Sequence, residues 1–159
     1  MKLTFRLTSQ NDLGSLAIQR FSAGPGSHIG LMLDRDGYEL GARSDKVGGK
    51  PPGVQVRPAN YAPFARQTFI DLQVTPDQEW LCKSFMIEQV GKPYDFKAIL
   101  GFATGRNWRE NDAWICSELV AAAIEYAGIC APLYLTASKI TPVAAALILT
   151  AIGGEIRPE

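Results

Sequence analysis

A chain of 159 residues is long enough to bury a core of its own, so one domain spanning residues 1–159 is the expectation. Its 16 basic and 16 acidic side chains cancel, which argues against a nucleic-acid or anionic-membrane partner held by bulk charge. Three cysteines at wide spacing and one histidine support neither a disulfide framework nor a zinc site, so no metal or cofactor is expected and a reducing, cytoplasmic setting fits.

The opening MKLTFRLTSQ alternates over residues 3–7 as a strand does and lacks the apolar run of a signal peptide, so the mature chain is expected to start at Met1. FSAGPGS is a loop. HIGLMLD follows as a half-buried strand, with Ile29, Leu31 and Leu33 on one face and His28, Gly30 and Met32 on the other. Residues 34–37 form a turn and YELGARS returns as the second strand of a hairpin. If Leu40 and Ala42 share the face of Leu31, then Glu39, Gly41, Arg43 and Asp45 share the face of His28. Shorter strands are predicted over 54–56 and 68–74.

Thr75 and Pro76 then open a helix that Gly91 stops, with Cys82, Phe85, Met86 and Val90 on one face. A short helix is predicted over 97–102, after GKPYDF. The polar loop ATGRNWREND leads into a helix carrying WICSELVAAAIEYAG, for which Asn111 or Asp112 would supply the cap and Gly128 the stop. A further strand at 131–135 precedes an apolar helix opened by Thr141 and Pro142, which is too short to cross a bilayer. Gly48-Gly49 and Gly24-Pro25-Gly26 lack the context of a phosphate loop and read as turns.

Cys116 lies at helical spacing with Leu119, Val120, Ala123 and Ala127, so its thiol is either core filler or a nucleophile. A helix start favours the thiolate, because unpaired backbone N–H groups gather there. His28 is the sole imidazole, and any His-dependent chemistry must use it. A structural role is the alternative. Together they would make the smallest activated nucleophile. Cys82 and Cys130 read as packing residues, and Trp80, Trp108 and Trp114 as core or groove wall.

In order and separation, SHIGLMLD, then GKPYDF, then WICSELV resembles the circularly permuted NlpC-like branch of the papain-like superfamily, the YiiX-like amidases and peptidases. The similarity runs from about Gly26 to Pro142. It implies an α+β papain-like fold, with helices packed on an antiparallel sheet or partly closed barrel. It further implies Cys116 as nucleophile, His28 as general base and later acid, and Tyr94 as a substrate or oxyanion contact. The family's third polar residue lies on the strand beside the histidine, where this chain reads YELGARSD. Hairpin parity puts Arg43 or Asp45 nearly opposite His28 and Glu39 about 13 Å further along, so Asp45 is the expected third residue and Glu39 the alternative.

The implied activity is a cysteine hydrolase acting on a peptide or amide. A lipid acyltransferase or thioesterase would use the same thiol on an acyl substrate. A catalytically silent binding module, for example in a phage or secretion assembly, belongs to another class. The sequence specifies neither the substrate nor the oligomeric state.

Overall fold

The structure, a computed structural model, describes residues 1–11, 13–22, 24–33, 37–46, 48–98, 112–131 and 140–158. Its elements in chain order are β1 (Lys2–Ser9), α1 (Leu13–Ser22), β2 (His28–Met32), β3 (Tyr38–Arg43), β4 (Gly53–Pro58) and β5 (Arg66–Gln73), then α2 (Pro76–Glu88), α3 (Cys116–Tyr126), α4 (Pro142–Ala151) and β6 (Glu155–Pro158). The strands form one antiparallel sheet in the order β4-β3-β2-β1-β5-β6. This is the expected α+β fold in its open-sheet form, because β4 and β6 do not meet to close a barrel.

Alternation along the strands divides the sheet into two unlike faces. Leu3, Phe5, Ile29, Leu31, Leu40, Ala42, Val54, Ile70 and Leu72 are buried and join one core with Leu119, Val120, Ala123, Ile124 and Leu149 of the helices. Helix α3 packs on β2 and β3, and α4 on β1, β2 and β5. The opposite parity carries Arg6, Thr8, His28, Glu39, Arg43 and Arg57, all buried although polar. Residues 59–65 lie over part of that face. The Arg6 guanidinium is 4.6 Å from the Phe64 ring centroid and that of Arg43 5.3 Å from Tyr61.

Helix starts follow the sequence where a cap is present. Thr75 and Gln78 form a capping box before α2, and Thr141 accepts from the Ala144 N–H at 3.1 Å with Pro142 in the first turn of α4. Helix α3 differs from expectation, since its cap is Ile115, without a side-chain hydrogen bond, and Cys116 is its first residue. Asp112 is therefore too early to cap it. Helix α1 and strand β6 were not anticipated. Leu13 of α1 is 87% exposed and Leu16 49%, and β6 is a four-residue edge strand.

Residues 96–98 are helical, but the rest of the helix expected over 97–102 lies outside the described residues. So do Trp108, Asn111, residues 34–36 of the expected turn, and the strand expected at 131–135 beyond its first position.

Candidate active site

Several short main-chain contacts fix the start of α3 against the sheet. The Trp114 N–H donates to the Pro93 carbonyl and the Asp95 N–H to the Trp114 carbonyl, both at 3.1 Å, so Tyr94 and Trp114 form a parallel bridge. The segment before Tyr94 is laced onto β4, where the Val54 N–H donates to the Lys92 carbonyl and the Gly91 N–H to the Val54 carbonyl, each at 2.9 Å. Gly53, at φ 127°, permits this approach, since a Cβ there would run into the Lys92 carbonyl. On the far side Ser117 Oγ donates to the Ile140 carbonyl. Cys116 is thereby held over the first residues of β2.

The thiol meets His28 there. Cys116 is hydrogen-bonded to the imidazole and to the backbone N–H groups of Ile29 and Ser117. Burial pushes the thiol pKa up, but the His28 hydrogen bond and charge together with those N–H groups outweigh it, leaving Cys116 below an ordinary thiol. For His28 burial opposes protonation, while the Glu39 charge and the thiol contact favour it more, and the net shift is upward. Both shifts favour a thiolate facing an imidazolium. Cys82 is pushed up to about 12 by burial, and burial also raises Cys130.

The partner on the other ring nitrogen is Glu39, whose Oε1 lies 2.6 Å from His28 Nε2, leaving Nδ1 for the thiol. This corrects the expected placement of Asp45. Asp45 is bound by Arg43, whose Nε donates to Oδ1 at 2.8 Å and Nη2 to Oδ2 at 2.9 Å, and its side chain is 48% exposed. Arg43 holds its carboxyl below the ordinary range against the effect of burial.

The register itself was as the parity argument had it. Leu31 pairs with Leu40 and Met32 with Glu39, and the same register continued three residues from the Leu31–Leu40 pair would set Arg43 opposite His28. The difference lies in what occupies the positions between. Gly30 and Gly41 stand on the same face between His28 and Glu39, and both lack a side chain. A Cβ on Gly30 would meet Glu39 Cγ and Cδ at 2.8 Å, and one on Gly41 would meet His28 Cε1 at 3.2 Å. Glu39 therefore lies over Gly30, His28 leans over Gly41, and the two side chains cover the distance together. The sequence signal was the pair His28-x-Gly30 and Glu39-x-Gly41 on facing strands.

Glu39 is only 2% exposed, and so is its second partner, Arg6, whose Nε donates to Oε2 at 2.8 Å and whose Nη2 donates to the same oxygen. Burial alone would raise the Glu39 pKa; the His28 charge and hydrogen bond and the Arg6 charge and hydrogen bonds carry it below the usual carboxylate range. Arg6 was not singled out in the sequence, where an arginine in an alternating strand reads as a solvated face.

Cys116, His28, Tyr94, Arg43, Asp45 and Gln10 are among the residues lining a cavity of about 240 Å³. Burial, and next the neighbouring Cys116 charge, raise the Tyr94 phenol well above 10, so it remains a hydrogen-bond donor. A larger concavity of about 1020 Å³ is lined by Arg6 but contains neither Cys116 nor His28, and size alone therefore does not mark the site. Trp114 is buried, its indole donating to Gln89 at 3.2 Å. Trp80 is 67% exposed and belongs neither to the core nor to the cavity wall.

No protein-family model matches the chain, and no curated protein matches it by sequence. Among solved structures the chain is similar to the metalloprotein yiiX of Escherichia coli O157:H7, with a TM-score of 0.58 and 20% sequence identity. The match covers 78% of this chain and 64% of that one, so the chain corresponds to less than two thirds of yiiX. The likeness establishes a YiiX-like fold.

Proposed function

We propose that the chain is a cysteine hydrolase of the permuted papain-like type that cleaves an amide or peptide bond. The observation that carries the reading is the buried series Cys116, His28, Glu39, in which each side chain touches the next and the shifts favour thiolate and imidazolium. The Cys116 sulfur attacks the carbonyl carbon and forms the C–S bond. Carbonyl electrons move to oxygen, where N–H groups at the start of α3 and the Tyr94 phenol are the available donors. As the oxyanion collapses the C–N bond breaks, and His28 gives its proton to the leaving nitrogen. Neutral His28 then takes a proton from water as the water oxygen attacks the acyl carbon. The C–S bond breaks, and thiolate and imidazolium return.

The same cavity bears on the acyltransferase or thioesterase reading. Its walls mix Gln10, Arg43 and Asp45 with Ile18, Ala42 and Tyr94, and at about 240 Å³ it is better suited to a short acyl group than to a long lipid chain. The silent-module reading leaned on the lack of a third residue, and the Glu39 contact removes that support. The similar protein is described as a metalloprotein, but the present site does not fit a metal. His28 Nε2 is engaged with Glu39 and Glu39 Oε2 with Arg6, and among the described residues no group of three His, Cys, Asp or Glu side chains could hold an ion. The site is not assigned one.

The test is a side-by-side assay of peptide, cell-wall fragment, lipid-ester and thioester substrates with wild type and Cys116→Ser. Cys116-dependent release of amine from an amide supports the proposal. Turnover of ester or thioester substrates alone would replace it with the acyl-transfer reading.

A further inference from the structure

We infer that Arg6 is a positioning residue of this site, clamping the Glu39 carboxylate over Gly30 so that it faces His28. In its catalytic consequence the inference rests on the hydrolase reading, while the clamp itself is independent of it. Arg6 stands opposite Gly30 in the β1–β2 register, and Glu39 comes from β3 on the other side of β2. The missing side chain at Gly30 is thus the opening through which the two meet. Arg6 is itself fixed from two directions, since its Nη1 donates to the Ala59 carbonyl at 2.8 Å and to Gln67 Oε1 at 3.1 Å, with Phe64 over its plane.

One carboxylate oxygen receives both Arg6 N–H groups and the other faces the imidazole, so the orientation of the carboxylate is fully determined. Arg6 touches no reacting atom. Its effect runs through charge. A buried carboxyl left with His28 as its one partner takes up a proton more readily, and whenever Glu39 is neutral it no longer favours the imidazolium that Cys116 needs. Other charged or titratable groups nearby are Arg57, the β4 register partner of Glu39, with Arg43 and Tyr61; His28 also faces Cys116 and the field of Asp45. Arg43 is occupied by Asp45, Gln10 and Tyr61, and Arg57 donates to the Gly41 and Pro51 carbonyls, so neither supplies the paired contact that Arg6 makes.

Because the chain has one histidine, imidazole NMR reports this device without overlap. In Arg6→Gln the His28 titration should move to lower pH, and Cys116 alkylation by iodoacetamide at mildly acidic pH should slow by on the order of 10- to 100-fold, the range seen when the partner behind a metal-binding histidine is removed. Arg6→Lys should recover part of both. In a Glu39→Gln background, where Arg6 holds the amide oxygen away from His28, a further Arg6→Met change should lower neither readout again, because no carboxylate remains to be oriented and release of the amide acts only in the upward direction.

An unchanged or upward His28 titration in folded Arg6→Gln would overturn the inference, and so would a further fall in either readout when Arg6→Met is added to Glu39→Gln. If Arg6→Gln does not fold, the comparison of Glu39→Gln with Glu39→Gln/Arg6→Met decides alone. Neither readout requires turnover. A chain that shows these responses but hydrolyses no amide would retain the clamp and lose the hydrolase reading.

Discussion

Replacing Glu39 by Gln is the sharpest test of the site, because the geometry dictates how the isostere must sit. The carboxylate accepts from three donors, two on Arg6 and one on His28. A glutamine offers one oxygen. With that oxygen held by the two Arg6 donors, the amide N–H faces His28 Nε2 and forces it to accept, which moves the imidazole proton to Nδ1. The nitrogen beside the Cys116 sulfur then carries the proton and can no longer accept one from the thiol. Loss of the correct tautomer in a serine-protease triad lowers kcat by on the order of 10⁴-fold, and a reduction of about 10³- to 10⁴-fold is expected here. That corresponds to roughly 4–5.5 kcal/mol of transition-state stabilisation.

Asp45→Asn is the control. It loosens a half-exposed ion pair with Arg43, for which about 0–1 kcal/mol is typical, so the rate should change by no more than a few-fold. Initial rates on an amide substrate and the rate of Cys116 alkylation near pH 6 measure both variants. Near-normal rates in Glu39→Gln with a large loss in Asp45→Asn would refute the geometric reasoning and return the third role to Asp45.

Mass mapping after brief iodoacetamide treatment should find Cys116 modified first, with Cys82 protected until denaturant is added; equal reactivity of the native thiols would leave Cys116 as core filler. Its alkylation profile should rise below the ordinary thiol range of about 8.5, and His28→Ala should displace that rise toward alkaline pH while leaving the alkaline plateau little changed. Gly30→Ala should lower stability by about 1–3 kcal/mol and suppress activity more than Gly41→Ala, since its Cβ would overlap the Glu39 stem whereas that of Gly41 only crowds the His28 ring; denaturant titration and rates check the order.

The stability advantage of wild type over Glu39→Gln should also depend on pH. Glu39 has a lowered folded-state pKa, so its contribution is present above the unfolded value of about 4.3 and fades as pH falls through the folded one. His28, raised, contributes in full below about 6.5 and loses that contribution as pH climbs through its folded value. Denaturation midpoints across pH 3–9 should therefore give the largest difference in the middle of the range, and a flat difference would contradict the pairing.

The sequence was most legible where local chemistry decides the conformation. Thr75-Pro76 and Thr141-Pro142 start helices because cap and ring geometry act within a few residues, and strand alternation in β1 and β2 separates the two faces of the sheet. Helix α1 lacks a Thr-Pro start of that kind, and it exposes Leu13 and Leu16 while Ser15 and Ile18 line the cavity. The cap of α3 was also misplaced. An Asp or Asn before a helix is the usual signal, whereas Cys116 is fixed by tertiary contacts through Pro93, Trp114 and Ile140.

The third member of the site shows most clearly what a linear reading leaves out. Strand rise sets the spacing of Cα atoms, and by that measure Asp45 had the better claim. Side-chain reach depends instead on what stands in the way. At any ordinary strand position a Cβ at Gly30 or Gly41 would have kept Glu39 and His28 apart, and the parity argument would have held. Two facing glycines remove the obstruction, and an arginine on β1, the strand on the far side of β2 from Glu39, then makes the buried carboxylate tolerable by holding it ionised. Glycines opposite one another on a polar face, flanked by one basic and one acidic side chain, are therefore a pattern for a buried diagonal pair. Its partner cation must come from the next strand over, which in this sheet is β1 and at the position opposite Gly30 is Arg6.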